Sequence, residues 1–380
     1  MIKYNQQSYP RFLINGRFLT RPKTGVERVA YNYTKCLIKN LGSNELKIAI
    51  PKNIEILKTS YPDIPKSYLF KYGKIIKPKT IGGHVWEQIF LPIIQEKLNA
   101  NYIINFTNTA PIFAKNNLVF IHDTAYKDVP NTFNKFFAIF YNILMPIICK
   151  RAYKIFTVSN FSKKRLMKLY NIPSSKIYVI HNGITPLQKN AKTFKFRVQL
   201  LNSKNNKYIT YIGSLSSRKN IKNLIMGFYK AKQQAPLLFK NIRLLLIGKK
   251  DKNFKLNLPT KYTQNKDIIF AGYVADNKFK EYLDNTILGI NLSIYEGFNL
   301  PPGEMLLSNI PILLSDIEVN KEIFKQATFV SPYDIQSISK SLVNTLANYN
   351  DTIQRAKKLK TLVKNYTWDK SCKMFINKLK

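Results

Sequence analysis

The sequence predicts an α/β protein of two doubly wound domains facing across a cleft, and three observations carry that expectation. The chain has 380 residues, more than one hydrophobic core ordinarily organises. Short runs rich in β-branched and aromatic residues alternate with helix-like stretches along most of its length, the pattern of parallel sheets covered on both faces. The alternation is interrupted once, by a polar and weakly periodic stretch at residues 186–206, after which a fresh strand begins.

In the first domain, residues 1–185, strands are expected at Arg11–Phe18, Leu46–Pro51, Asn117–Asp123, Lys154–Ser159 and Ile177–His181. In the second, from residue 207, they are expected at Tyr208–Gly213, Ile242–Gly248, Asp267–Val274, Leu288–Ile294 and Ile310–Ser315. Each run closes on a polar or glycine signal. Helices are expected at Ile221–Gln233, Lys278–Asn285, Ile335–Tyr349 and Thr352–Asn365, with another following Gly25. The stretch 186–206 reads as the connection between domains. Ligands of such folds sit at the carboxyl ends of the strands, so the strand-to-helix loops are where chemistry is sought.

Composition excludes some classes of function. A hydrophobic share of 45% with 22% charged residues is that of an ordinary globular chain rather than a disordered one. The balance of 61 basic to 21 acidic residues gives a formal net charge of +40, yet the charge is spread evenly over both halves. A nucleic-acid binder concentrates its cations on one face or arm, and no such motif stands out. Two readings stay open: a coding bias that fills solvated positions with lysine, and a diffuse attraction to polyanions such as an anionic membrane surface or a pyrophosphate-linked lipid. Cys36, Cys149 and Cys372 lie far apart without a CxxC spacing, so neither a disulfide framework nor a metal site is expected, and a reducing cytoplasm is the default. The first twenty residues hold Arg11 and Arg17 and no apolar core, so no signal peptide is expected. The longest apolar run, Phe136 to Cys149, contains Pro146 and is too short to span a bilayer. With the residues up to Tyr153 it reads equally as a buried core helix or as a segment lying on a membrane.

Four loops collect candidate residues. The segment Glu296-Gly-Phe-Asn-Leu-Pro-Pro-Gly-Glu304 leaves a strand, turns irregularly and enters a helix near Pro302, where proline is tolerated because its missing N–H would be unpaired anyway. Two carboxylates thereby stand at a sheet edge, with Glu304 expected in the first turn of the helix; carboxylates suit sugar hydroxyls, and free helix N–H groups suit phosphate. Glu304 could equally serve the helix dipole. The segment Gly213-Ser-Leu-Ser-Ser-Arg-Lys219 puts Arg218 and Lys219 ahead of a helix, placed to neutralise a diphosphate, or as plain helix-flanking cations. The segment from Asn15 to Arg28 leaves the first strand through a basic loop, with Gly25 able to let backbone approach a ligand. His122, one of three histidines, ends a strand beside Asp123. No Asp-x-Asp pattern, zinc-like cluster or nucleophile elbow appears, so no metal and no cofactor are expected.

These residues resemble a known family. The stretch Ser293 to Glu304 resembles the E-x7-E signature of retaining GT-B glycosyltransferases, specifically the large family 4 that builds bacterial polysaccharides. The likeness runs along almost the whole chain: Gly16-Arg-Phe-Leu and Thr24-Gly-Val-Glu-Arg28, Val85-Trp-Glu-Gln88, Ile121-His-Asp123, Thr157 to Lys163, Val179 to Gly183, Tyr211-Ile-Gly213 with Arg218-Lys-Asn220, Ile269 to Tyr273, and Tyr366-Thr-Trp368. It implies two Rossmann-like domains, with the donor held by a carboxy-terminal domain at 207–366 and a terminal helix at 367–380 crossing back to the first. On this resemblance Glu296 would contact the donor sugar and Glu304 the ribose, while Arg218 and Lys219 would hold the diphosphate. His122 would line the sugar side, Gly25 would leave room near the reacting phosphate, and Gly213, Ser214, Phe298, Asn299 and Leu300 would complete the donor site. Four positions depart from the pattern: Ser214 where arginine is common, Asn299 where glycine is, Gly303 in place of an apolar residue, and Ser308-Asn309 in place of Cys-Gly.

The implied activity is metal-independent transfer of a hexose, with retention, from a nucleotide-diphosphate sugar to a saccharide acceptor. GDP-mannose is favoured as donor and a lipid-pyrophosphate-linked saccharide as acceptor, in cell-surface polysaccharide synthesis on the inner face of the cytoplasmic membrane. The alternatives are another GT-B activity, such as a phosphorylase or sugar epimerase, and a basic nucleic-acid-binding protein.

Overall fold

The computed structural model describes residues 11–75, 82–188, 190–251 and 256–379. Half of the stretch read for a leader, and Lys189 in the expected connection, lie outside the described residues. The chain divides into two compact units. The first comprises Met1–Thr124, Phe136–Gly183 and Trp368–Lys380; the second comprises Ala125–Lys135 and Ile184–Thr367.

In the first unit β1 (Phe12–Asn15), β2 (Leu46–Ile50), β3 (Leu69–Lys71), β4 (Tyr102–Asn105), β5 (Asn117–Phe120), β6 (Lys154–Thr157) and β7 (Ile177–Val179) form a parallel sheet in the order β3-β2-β1-β4-β5-β6-β7. Its central strands are apolar without alternation: Leu13, Ile14, Ile103, Ile104, Val119 and Phe120 are all buried, as a sheet covered on both faces requires. The terminal helix Trp368–Leu379 belongs to this unit because Phe375 enters its aromatic core, with ring centroids 5.0 Å from Phe120 and 4.9 Å from Phe156. Gly183 lets that helix approach: a Cβ there would stand 2.3 Å from the Trp368 nitrogen.

In the second unit β8 (Lys207–Ile212), β9 (Ile242–Ile247), β10 (Ile268–Gly272), β11 (Thr286–Asn291), β12 (Ile312–Ser315) and β13 (Thr328–Val330) make a parallel sheet in the order β10-β9-β8-β11-β12-β13. The strand order reverses between β8 and β11, whose registers pair Ile209 with Leu288 and Thr210 with Gly289. The loops that follow these two neighbouring strands therefore emerge side by side at the carboxyl edge, which is where a doubly wound sheet takes its ligands.

Most expected elements are found, each a few residues shorter as a strand. The largest overshoot is Arg11–Phe18: the strand stops at Asn15 and a 3-10 turn, Gly16–Thr20, follows. Phe18 and Leu19 are buried there without strand pairing, so apolarity misled the boundary. Strands β3, β4 and β13 were not expected; at three or four residues, a two-residue period hardly registers. The expected connection contains a helix, Phe194–Asn202, whose Arg197 is buried and donates to the carbonyls of Leu283, Asp284 and Thr286.

Two expectations need correction. The helix after the glutamate segment runs Leu300–Leu307, so Glu304 stands in its second turn and not its first. Asn299 caps the helix in the left-handed conformation, φ 70°, and that lets it start before the prolines. Cysteine spacing was also a poor guide. Cys36 and Cys372, separated by 336 residues, form a disulfide with Cα atoms 6.1 Å apart, leaving Cys149 as a buried free thiol. The pairing joins the helix Gly25–Asn40 to the terminal helix, a contact that exists only after folding, and it removes the cysteine-based ground for a reducing compartment.

The apolar run forms the helix Lys135–Arg151 and carries both faces foreseen for it. Ala138, Leu144, Met145 and Ile148 are buried, while Ile139 and Ile143 are 57% and 65% exposed. Among the described residues no helix is long and apolar enough to cross a membrane.

Candidate active site

The loop after β8 begins with a backbone that only glycines allow. Gly213 and Gly248 have φ of 150° and 146°, and a Cβ on Gly248 would lie 1.8 Å from the Gly213 carbonyl oxygen. The Tyr211 hydroxyl closes the turn by donating to the Ser214 carbonyl at 2.8 Å. Leu215 pairs with the segment after β9, its N–H donating to the Lys249 carbonyl at 2.9 Å. The chain then makes a short 3-10 turn, Ser217–Lys219, ended by Asn220 in the left-handed conformation, φ 56°. That turn aims Arg218 and Lys219 towards the neighbouring loop.

The loop after β11 supplies the acid. Glu296 is 6% exposed, and its carboxylate accepts from Arg218 Nη1 at 2.8 Å on one oxygen and from Lys219 Nζ on the other. Arg218 Nη1 also donates to the Tyr295 carbonyl, and the Arg218 carbonyl accepts from the Ile294 N–H at 3.0 Å. Burial alone would raise the Glu296 carboxyl; the two cations outweigh it and bring it down to about 2. A buried carboxylate between two basic side chains is the electrostatic centre of this edge. Two cations against one anion leave a positive surplus, the charge needed to receive a phosphate.

The other residues of this unit surround that centre. Glu304 is buried in the helix behind it. Phe298 is buried edge-on to the Tyr366 ring at 5.8 Å, so its ring packs within the unit. Asn299 holds its positive φ, and its side-chain amide donates to Asn320 Oδ1 at 3.0 Å. Leu300 opens the helix. The departures seen in the sequence acquire physical reasons. Asn299 replaces glycine at a left-handed position, which asparagine tolerates better than other side chains. Gly303 is required because a Cβ there would stand 2.6 Å from Ile184 Cδ1. Ser308 accepts the Leu187 N–H at 2.8 Å, and Asn309 accepts from Lys360 Nζ at 2.6 Å.

His122 and Gly25 belong to the first unit. His122 is buried, with Nε2 2.7 Å from the Phe106 carbonyl and its N–H donating to Asn108 Oδ1 at 2.8 Å. Since a carbonyl only accepts, Nε2 carries the proton in this arrangement. Burial pushes the ring pKa down, so the neutral form is favoured. Gly25 opens the helix Gly25–Asn40, and a Cβ there would meet nothing within 4 Å; the fold itself does not demand glycine at that position.

Sequence reasoning missed several participants. Tyr211 is buried under the β8 loop, and Asp251 lies in the field of Arg218 and Lys219, with burial raising its carboxyl. The Tyr295 hydroxyl donates to Asp128 at 2.8 Å. None sits in a pattern a sequence displays, since each reaches the site from another element. In the first unit Glu87, from the Val85-Trp-Glu-Gln88 match, accepts from Asn15 at 2.8 Å and faces Arg17 at 3.4 Å. Among the described residues no group of three His, Cys, Asp or Glu side chains could hold a metal ion.

Comparison with known proteins agrees with this geometry. The profile of Glycosyltransferase Family 4 matches residues 24–186, and that of Glycosyl transferases group 1 matches residues 192–365. The chain is 27% identical over 259 residues to the O-antigen chain mannosyltransferase RfbU of Salmonella typhimurium, covering 68% of each chain. It is 25% identical over 239 residues to the O-antigen chain mannosyltransferase B of Escherichia coli, covering 60% of each. Among solved structures, HepE of Anabaena in complex with UDP and glucose aligns with a TM-score of 0.70 at 14% identity, over 98% of this chain and 99% of that one.

Proposed function

Because this chain belongs to the GT-B glycosyltransferases, carrying a Family 4 domain followed by a glycosyl transferases group 1 domain, we propose that it transfers a mannosyl group from GDP-mannose, with retention, to a saccharide acceptor. The acceptor is a growing saccharide on a lipid pyrophosphate, and the reaction belongs to cell-surface polysaccharide synthesis. The observation that carries this reading is the Arg218–Glu296–Lys219 cluster at the switch point of the second sheet. Mannose as the sugar is supported by the two O-antigen mannosyltransferases to which the chain is similar.

In this reading the cations have the larger part. Arg218 and Lys219 receive the donor diphosphate and stabilise the charge that develops on it as the glycosidic bond breaks, an electrostatic contribution that needs no covalent nucleophile. Glu296 holds both cations in place and offers its carboxylate edge to the sugar hydroxyls. The departing diphosphate oxygen takes the acceptor proton on the face it leaves, which gives retention. His122, with the Phe106 carbonyl fixing its tautomer, lines the sugar side, and Gly25 leaves room near the reacting phosphate.

A lipid-linked acceptor requires the enzyme to work at a membrane surface. Support comes from the net charge of +40 and from the outer face of the Lys135–Arg151 helix, where Ile139, Ile143 and Ile147 are exposed next to Lys150 and Arg151. An apolar stripe with basic ends suits an anionic bilayer. Vesicle flotation checks this: anionic liposomes are expected to carry the protein at low salt, and an Ile139→Glu/Ile143→Glu variant to lose most of that binding without a change in melting temperature.

The donor assignment is tested by thermal shift against a panel of nucleoside diphosphates. A ligand at a hundred times its Kd stabilises by about 2.7 kcal/mol, a shift of several degrees, and GDP is expected to give the largest. A flat response to every nucleoside diphosphate would overturn the donor reading; a larger response to another base would replace GDP alone.

A further inference from the structure

The basic loop after β1 is not used by the donor chemistry, and it contains an unusual arrangement. Arg17 is 2% exposed, yet its Nε and Nη1 have no hydrogen-bond partner among the described residues. Only Nη2 is engaged, donating to Thr109 Oγ1 at 3.3 Å and facing Glu87 at 3.4 Å. A buried guanidinium with unsatisfied N–H groups is costly. A second guanidinium stands beside it. Arg17 Nη1 and Arg21 Nη2 lie 3.5 Å and 3.4 Å from one point, the position a Cβ would take on Gly83. Burial first, and then the charge of Arg17, lower the pKa of Arg21.

Gly83 belongs to the first turn of the sixteen-residue helix Gly82–Lys97. The first four N–H groups of a helix have no intrahelical partner and carry the positive end of its dipole. Two guanidinium forks and a helix N-terminus thus converge where Gly83 leaves space. One carboxylate offsets them. Burial raises the Glu87 carboxyl, but Arg17 and His84 bring it down to about 2, so it stays ionised. Glu27 acts on Arg21 more weakly.

We infer that Arg17, Arg21 and the first turn of the Gly82–Lys97 helix form a second oxyanion site, built to take a phosphate group of the acceptor. Guanidinium forks match the paired oxygens of phosphate, and a helix N-terminus receives the same group. The site lies wholly within the first unit, whereas Arg218 and Lys219 belong to the second. The lipid pyrophosphate is favoured over free phosphate by what surrounds the site. The Gly82–Lys97 helix exposes Val85, Ile89 and Ile93, one turn apart. The His84 ring packs at 5.0 Å against Phe140 of the Lys135–Arg151 helix, which exposes Ile139, Ile143 and Ile147. The phosphate site therefore stands at the head of two helices with exposed apolar faces.

The inference rests on the glycosyltransferase reading for the role of the ligand as acceptor, but not for its binding. The test is calorimetric titration of the full chain with inorganic pyrophosphate and with farnesyl pyrophosphate, each in saturating GDP so that the donor site is filled. A binding site is expected to remain in the wild type, to weaken at least tenfold in Arg21→Gln and in Gly83→Ala, and to recover partly in Arg21→Lys. Arg21 makes no hydrogen bond or ion pair among the described residues, so Arg21→Gln is expected to fold, and a retained GDP-induced thermal shift verifies that. Tighter binding of farnesyl than of inorganic pyrophosphate assigns the lipid as the source; equal binding keeps the site and assigns free phosphate. Absence of a residual site in the presence of GDP, or unchanged affinity in both variants, overturns the inference. Loss of the GDP response itself would instead fell the donor reading.

Discussion

At the scale of single residues, the candidate site is a question of how many charges meet. Lys219 and Arg218 share one carboxylate, Glu296, so removing either cation leaves the other still paired. Lys219→Ala should accordingly leave the fold near wild type. Loss of one preorganised electrostatic donor typically lowers kcat by about 100- to 1000-fold, and steady-state kinetics with the proposed donor should show a fall of that order. Wild-type turnover in this variant would remove Lys219 from the chemistry. The two cations were legible in the sequence because they are adjacent at a strand-to-helix loop, and Glu296 because it ends a strand. Their mutual pairing was not legible, since it depends on β8 and β11 being neighbours across 77 or more residues of chain.

At the scale of elements, the helix Leu300–Leu307 owes its starting point to one residue in the left-handed region. Asn299 adopts φ 70°, a conformation that costs a residue with a full side chain about 1–2 kcal/mol. Asn299→Gly should keep stability within about 1 kcal/mol, losing only the hydrogen bond to Asn320. Asn299→Val should be less stable than Asn299→Gly by about 2 kcal/mol, measured by chemical denaturation; equal stabilities would mean that the turn is not under this constraint. The sequence shows asparagine, two prolines and glycine and thus a turn, but not where the helix begins. That depends on a backbone angle, and Glu304 moved to the second turn as a result. Short strands such as β3 and β13 escaped for a related reason: their pairing comes from neighbours in the sheet and not from their own three residues.

At the scale of the whole molecule, the chain leaves the first unit at Ile184 and returns at Trp368. The Cys36–Cys372 disulfide fixes that return to the helix Gly25–Asn40. A cross-link closing so long a loop contributes about 2–4 kcal/mol. Under non-reducing conditions, peptide mapping should find Cys36 joined to Cys372 and Cys149 free, and a Cys36→Ser/Cys372→Ser variant should melt lower than the oxidised protein while matching it in reductant. Finding all three thiols free in air-oxidised protein would contradict the pairing.

The sequence by itself determined the fold class, the division into two domains and the loops that carry chemistry. These are written in local periodicity and in short runs at strand ends, which neighbours in the chain enforce. Only the tertiary structure decided which loops stand together, that Cys36 meets Cys372, and that Arg17 is buried with two nitrogens unsatisfied beside Arg21. Each is a meeting of residues far apart in the chain. Their proximity is set by sheet order and helix packing, and no spacing along the sequence encodes it.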